Sequence, residues 1–419
     1  MLKKTSCIAP FINLTVDPIN NTSPCPYLGG GSWNFANETS FKSIWQSKKF
    51  EDLRQSHLAG EKNPICQRCW TEEDVGKMSA RLRYLQDFSE QIEQITQKIK
   101  DKSYLEGPST LTMKNGNICN LQCPLCSTGI NAETRKKGIL ESQNFKKIID
   151  EMKDYVLQLS LQNWGEATLV KELPEMIKYA SNNGIFTRLS TNFSIKYDNN
   201  FFNQLIKSGL GILVIDLDGT DQATYEKYRV SGNLELVLEN IRKAVKIKKD
   251  NSLKFPRIQT RMLIMRHNEH QIDQFRKISK ELQVDEMEVG NIQINPNTAK
   301  QWLPKDKEFV YETYFKERKV IPCHWPWSGM TINWDGGVSP CCIVDDEKSD
   351  FGNIFEQGIK KLWNNGFYRS SRSVFSKEKD DSEFTICHLC KNDVHNPNLI
   401  RIGNTFSITS NKNVKIRSK

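Results

Sequence analysis

Across residues 107–300 the hydrophobic positions switch period in a regular way. "VLQLSLQ", "IFTRLS", "GILVIDL", "RIQTRMLIM" and "EMEVGNIQI" are short runs of aliphatic and β-branched residues and predict strands. Between them "KELPEMIKYASNN", "NNFFNQLIKSG", "NLELVLENIRKAVKIKK" and "HQIDQFRKISKELQ" place apolar residues at three-to-four spacing and predict helices. With the strand-like "TLTMKNG" before Cys119, about six βα units result. Such alternation implies a parallel sheet with helices outside, either closed like a barrel or open, with ligands at the carboxyl ends of the strands. "GLG" at Gly209 reads as a turn before a strand. Upstream, Thr71 opens "TEED", a capping-box-like helix start. Met78, Leu82, Leu85, Phe88, Ile92, Ile95 and Ile99 follow as one helical stripe, which predicts core packing.

The chain has 419 residues, more than one ordinary domain, so a central domain of about 200 residues with smaller attachments is expected. A hydrophobic fraction of 37% with 26% charged residues is globular, and no apolar run reaches the roughly 18 residues that span a bilayer. The start "MLKKTSCIAPFINLTV" lacks a continuous apolar segment, which predicts a soluble, cytoplasmic protein without membrane partners. The net charge of +9 is mostly interleaved with acids, as in "KKFEDLRQSHLAGEK", and predicts a solvated surface rather than a nucleic-acid face. Only residues 401–419 are one-signed, a basic tail.

Cysteine changes the picture. Twelve cysteines in a reducing compartment are expected as ligands, not disulfides. They form three groups: Cys7, Cys25, Cys66 and Cys69; Cys119, Cys123 and Cys126; and Cys323, Cys341, Cys342, Cys387 and Cys390. The outer groups repeat. Cys25 stands 18 positions after Cys7, Cys341 stands 18 after Cys323, both pairs end in "SPC", and each continues through a tryptophan-containing helical segment into a CxxC, "CQRC" or "CHLC". Four cysteines in each saturate one metal site, either zinc or a fully ligated iron–sulfur cluster. "CNLQCPLC" offers only three. Three thiolates on one loop hold three corners of a [4Fe-4S] cube and leave the fourth iron open, as a reactive metal requires. No HExxH, GxSxG or GxxxxGK[ST] suggests another chemistry.

"CNLQCPLC" resembles the CxxxCxxC motif of the radical S-adenosylmethionine (SAM) superfamily, over about residues 107–295. The resemblance implies a partial (β/α)6 TIM-type barrel, a [4Fe-4S] cluster on Cys119, Cys123 and Cys126 as the catalytic centre, and SAM on its open iron. An electron from the cluster would cleave SAM, and the 5′-deoxyadenosyl radical would abstract hydrogen from substrate. "NWGEATL" is similar to the family's GGE, which implies Gly165 and Glu166 at the SAM amino group, with Trp164 in place of the first glycine. "STNF" is similar to TNG and implies Ser190, Thr191 and Asn192 near SAM. "IDLDG" is similar to "SLDG", with Asp216 replacing serine and turned to the ribose, and Arg229 matches an arginine for the SAM carboxylate. Leu125 stands where an aromatic often covers the adenine.

Cys323 followed by "GGVSPC" resembles the opening of the SPASM and twitch domains that bind auxiliary [4Fe-4S] clusters, and five cysteines suit one cluster, on Cys323, Cys341, Cys387 and Cys390, with Cys342 either outside the ligand set or exchanging with Cys341. The first group has Asn20 where that motif has glycine, so zinc stays open there. The expected organisation is a four-cysteine twitch-like module (1–72), a helical linker (73–106), the barrel (107–300), a twitch/SPASM-like module (301–400) and the tail (401–419). The resemblance implies a peptide or protein side chain as substrate and a flavodoxin- or ferredoxin-type electron donor. A small molecule such as a nucleotide or sugar, or a non-catalytic zinc adaptor, are the alternatives.

Overall fold

The computed structural model of the chain describes residues 6–12, 15–16, 22–23, 25, 47–77, 79–89, 93, 96–97, 101, 109–161, 164–292, 300–310, 323, 325–344, 346–375, 380, 382–390, 399–402 and 405–408. The six expected strands are β1 (Thr110–Met113), β2 (Gln158–Leu161), β3 (Phe186–Thr191), β4 (Ile212–Asp216), β5 (Arg257–Ile264) and β6 (Glu286–Asn291). They lie side by side in chain order and every pairing is parallel. This is the parallel α/β sheet with crossover helices that the alternation implies.

Six helices make the crossovers: α1 (Ser142–Met152), α2 (Leu173–Asn182), α3 (Asn199–Ile206), α4 (Gln222–Tyr228), α5 (Leu234–Asp250) and α6 (Ile272–Glu281). Their starts are set by side chains. Asp198, Asp221 and Asn233 each accept the amide of a residue two or three positions on, satisfying first-turn donors that would otherwise face no partner. Each helix buries one stripe; α5, for example, turns Leu234, Val237, Ile241, Ala244 and Val245 inward. Together with Leu111, Leu159, Leu161, Leu189, Leu213 and Ile215 from the strands these stripes form the main core. Burying one such side chain is worth roughly 1.5–3 kcal/mol, and emptying the fully buried Phe202 site by an alanine would cost about 3–5 kcal/mol. Gly209, at φ +82°, makes the turn before β4 as expected.

Two features depart from the expected boundaries. The sheet does not end at β1. β7 (Gly329–Ile332) pairs parallel with β1, matching Leu111 with Met330 and Met113 with Ile332, and β8 (Val338–Ser339) returns antiparallel on its far side. The cysteine-rich C-terminal region is therefore continuous with the barrel sheet. The second departure is at Thr71, which does not open a helix. It lies inside the helix Gln67–Asp74, which follows directly on a 3-10 turn started by Asn63 and Pro64; Gly76, at φ +74°, ends that segment, and Ser79 caps the next helix, Ala80–Asp87. A real cap and a proline upstream outcompete the capping-box spacing. Of the helical stripe, Phe88 is buried and Leu85 packs beside it, whereas Met78, Ile92, Ile95 and Ile99 lie outside the described residues, as does Asn20.

The N-terminal region packs elsewhere. Ile8, Phe11, Phe50, Leu53 and Phe88 meet Leu157, Phe186, Ile212, Val214 and Phe255, which stand at or near the amino ends of β2, β3, β4 and β5. Phe186 anchors this contact, its ring 5.0 Å from Phe88 and 6.3 Å from Phe255. Among the described residues no helix is long and apolar enough to cross a membrane.

Candidate active site

The loop after β1 carries Cys119, Cys123 and Cys126 at the carboxyl end of the sheet, opposite the N-terminal region. It is wound tightly. The Cys126 amide donates to the Cys123 carbonyl (3.1 Å) and Ile130 N to Cys126 O (3.0 Å), so the chain circles back on itself. Gly129 permits that circle: a Cβ there would stand 2.4 Å from the Cys123 carbonyl oxygen. Burial pushes the Cys119 thiol up to about 12 and the Cys123 thiol up to about 11.

Donors nonetheless converge on the sulfurs. The Leu121 amide reaches Cys119 Sγ at 3.4 Å and Asn192 Nδ2 reaches it at 3.8 Å; the amides of Gly129 and Thr128 face Cys126, and the Arg229 guanidinium faces Cys123. N–H groups aimed at sulfur suit a thiolate ligand rather than a thiol in an apolar core. The donor set thus fits an iron–sulfur cluster held by this loop.

Glu166 ties three strand ends together. Its own amide donates to Ile118 O (2.8 Å), beside the cysteine loop. Its Oε1 accepts from Thr191 Oγ1 (2.7 Å), Thr168 Oγ1 (2.6 Å) and Thr168 N (3.1 Å), and its Oε2 from Asn192 N (2.8 Å). Burial pushes the Glu166 carboxyl up despite these donors. Gly165 sits at φ +84°, where a Cβ would fall 2.5 Å from the Gly116 carbonyl oxygen, and its amide donates to Thr128 Oγ1 (3.2 Å). No other residue type brings the β2 end this close to the cysteine loop. Asn192 closes the circuit by donating to Asn120 Oδ1 at 2.9 Å. Gly165, Glu166, Thr191 and Asn192 are therefore gathered around Cys119.

Ser190, Asp216 and Arg229 form a second group. Asp216 Oδ1 receives Arg261 (2.7 Å), its Oδ2 receives Arg229 (3.2 Å), and Arg261 Nη2 also donates to Ser190 Oγ (3.1 Å). Burial works to push Asp216 up, but Arg261 and Arg229 hold it below the usual carboxylate range. Arg229 donates its shortest hydrogen bonds to Asp218, at 2.6 and 2.7 Å. Sequence reasoning overlooked Asp218 and Arg261. The signal was present, since "DLD" puts two acids on one side of the β4 end and "TRM" puts an arginine on the matching side of β5. Leu125 packs with Leu121, Cys123, Tyr228, Met265 and Ile292, an apolar collar around the loop that the edge of Trp302 extends, 5.7 Å from Tyr228.

The outer cysteines also gather. Cys7, Cys25, Cys66 and Cys69 line one small cavity with His57 and Arg81, and His57 Nε2 stands 3.7 Å from Cys66 Sγ. Burial pushes Cys66 up to about 12, and Cys69 and Cys25 beside it add to that. At the other end, burial raises the Cys323 thiol, and Cys387 and Cys390 close by raise it further. Cys342 differs: burial takes it to about 11 while the Lys114 ammonium pulls the other way. Among the described residues no three of His, Cys, Asp and Glu converge on a single metal ion.

A family model for the radical SAM superfamily matches residues 114–278, and one for the SPASM iron–sulfur cluster-binding domain matches residues 7–70 and again 323–391. A PqqA peptide cyclase of Bradyrhizobium diazoefficiens is 27% identical over 188 residues, 44% of this chain and 47% of that protein, so the match spans about half of the relative's length. A probable GTP 3′,8-cyclase of Methanococcus maripaludis is 24% identical over 268 residues, 57% of this chain and 87% of the relative. In fold the chain is similar to Streptococcus suis SuiB bound to S-adenosylmethionine, with a TM-score of 0.52 at 14% identity, covering 79% of this chain and 80% of that one. The repeat seen in the cysteine spacing is thus a repeat of one kind of iron–sulfur region. The sequence therefore carries a region matching the radical SAM superfamily between two regions matching the SPASM iron–sulfur cluster-binding domain, in a fold similar to that of SuiB.

Proposed function

We propose that the enzyme acts on a peptide or protein side chain by hydrogen abstraction. The observation that carries this is its similarity to a peptide cyclase through the barrel region. Cys119, Cys123 and Cys126 would hold the [4Fe-4S] cluster, which when bound supplies the electron that cleaves SAM to the hydrogen-abstracting 5′-deoxyadenosyl radical. The chain's own residues orient and shield. Asn192 and the Leu121 amide donate to Cys119, and Arg229 stabilises a charged Cys123. Glu166, with Gly165 beside it, offers a carboxylate to the SAM ammonium and fixes Thr191 and Asn192 for its remaining polar atoms. Asp216, held by Arg261 and near Ser190, is placed for the ribose hydroxyls, and Arg229 for the SAM carboxylate. Leu125 and its apolar neighbours exclude water from the loop.

Cys323, Cys341, Cys387 and Cys390 would hold one auxiliary cluster and Cys7, Cys25, Cys66 and Cys69 another, with zinc as the alternative metal at the latter and Cys342 outside the ligand set. A flavodoxin- or ferredoxin-type protein in a reducing cytoplasm would supply electrons. A second reading, a nucleotide-like small molecule as substrate, follows from the cyclase whose length this chain spans almost entirely. The two readings part in one experiment. Anaerobically reconstituted enzyme with SAM and dithionite is given a peptide extract or a metabolite extract of the host. Stimulated 5′-deoxyadenosine release with the peptide fraction, and a mass-shifted peptide, support the first; stimulation by metabolites alone contradicts it.

A further inference from the structure

Two hydrogen-bond networks, each beginning two residues before a cysteine, come together around one buried arginine, one holding the main chain that follows it and the other its side chain. The segment after the cysteine loop returns along the barrel edge and is pinned to Asn117, two residues before Cys119: Asn117 Nδ2 donates to Lys136 O (2.9 Å), and Gly138 N donates to Asn117 Oδ1 (2.9 Å). Arg135 directly precedes that pinned segment. Its side chain is only 2% exposed, and it leaves the barrel for the C-terminal region, with Nη1 on Asp335 (2.7 Å) and Nη2 on both oxygens of Asp350 (2.7 Å). Asp350 Oδ1 in turn accepts from Ser339 Oγ (3.0 Å), two residues before Cys341.

The neighbours leave no slack. Gly337 passes so near that a Cβ would stand 2.2 Å from Asp350 Oδ2 and 2.8 Å from Arg135 Nη1, and a Cβ on Gly138 would strike the Trp334 ring at 2.3 Å. Lysine, whose three donors sit on a single nitrogen, could not reproduce the planar fork to two carboxylates.

We propose that Arg135 is a positioning residue that sets the separation and orientation of the C-terminal cysteine site relative to the Cys119–Cys126 loop. The inference rests on the reading that both sites hold clusters, but the clasp itself is a property of the chain and can be tested without them. The region beyond β8 also packs Phe351, Ile354, Ile359 and Leu362 into the main core, but apolar contact tolerates small rotations, and the clasp adds directional bonds that resist them.

The test compares full-length wild type with Arg135→Met, Arg135→Lys and the double variant Arg135→Met/Asp350→Asn, which leaves no uncompensated carboxylate at Asp350 should the single variant fold poorly. Hydrogen–deuterium exchange on each protein, and electron–electron dipolar coupling between the reduced barrel and C-terminal clusters in the reconstituted enzymes, are the readouts. The expected result for Arg135→Met, or for the double variant, is exchange at least tenfold faster in both 115–119 and 337–344, with a weakened or broadened dipolar coupling at unchanged iron content; Arg135→Lys lies between. If exchange rises only within 133–137 and the coupling is unaltered, the proposal is overturned. If the wild-type C-terminal site holds no iron, the cluster reading fails, and two-sided exchange still decides the clasp.

Discussion

The two SPASM regions share a cysteine spacing but are attached to opposite ends of the barrel by different means. The C-terminal region shares the main core through Phe351, Ile354, Ile359 and Leu362, and is joined in addition by directional bonds, β7 hydrogen-bonded along β1 and the buried ion pairs of Arg135, on the side where Cys119, Cys123 and Cys126 lie. The N-terminal region is joined through apolar packing around Phe186, at the amino ends of the strands. Directional bonds fix distance and angle, whereas apolar contact is indifferent to small rotations as long as area stays buried. A site that must hold a set geometry to the reacting centre suits the first kind of joint; a site that stabilises the barrel floor or relays from a distance suits the second.

The comparison breaks most sharply at the cysteines. Replacing Cys387 and Cys390 by alanine is expected to remove about four irons per chain and to abolish product formation while SAM cleavage continues slowly. Replacing Cys66 and Cys69 is expected to remove the same iron, or one zinc, and to lower product formation less. Iron analysis with parallel product and 5′-deoxyadenosine assays checks both, with circular dichroism to confirm folding, because ligation contributes to the folding of such regions. Equal product loss in the two variants would erase the functional contrast.

The joints themselves come next. Arg135→Met breaks a buried ion pair and should cost roughly 3–5 kcal/mol, and Phe186→Ala, which empties a buried aromatic site, about 3–5 kcal/mol. The sum is similar but the melted part is not: proteolysis should first cut near 337–350 in one and near 47–60 in the other. Cleavage at the same place in both would mean one cooperative unit.

How much of this was legible beforehand follows the range of each signal. Periodicity is local, so all six barrel strands and four of the six crossover helices could be read, as could the cysteine repeat and the loop of three; Ser142–Met152 and the short Gln222–Tyr228 were not. The placement of "GMTINWDGGVS" beside β1 could not, because strand pairing across more than 200 residues leaves no local mark. Arg135 was invisible for the same reason: its partners are 200 and 215 positions away. Asp216 shows a third case. It was found as an acid at a strand end, but its partner Arg261 was hidden in a run that read as ordinary strand.

Smaller effects sharpen the picture at single carboxyls. Glu166→Gln should weaken SAM binding roughly 10- to 100-fold through loss of a charge-assisted contact, with the melting temperature held or raised. The sign follows from burial: a carboxyl pushed up in the folded state costs stability once ionised, and the amide removes that cost. Calorimetric titration with SAM beside a thermal melt checks it. For Asp350, burial pushes the carboxyl up to about 6, more than Arg135 lowers it. The fold then binds more protons than the unfolded chain between about pH 4 and 6, so stability should fall as pH rises through that window, by on the order of 3 kcal/mol. Melting curves against pH should show this slope, and Asp350→Asn should flatten it.

The account stands on the cysteine loop as the place where SAM is cleaved. The most direct measurement is 5′-deoxyadenosine formation under dithionite by the protein with Cys119, Cys123 and Cys126 all replaced by alanine, reconstituted beside wild type. The account predicts none, with about four irons fewer per chain and both outer sites still loaded. SAM cleavage at the wild-type rate by that variant would contradict it.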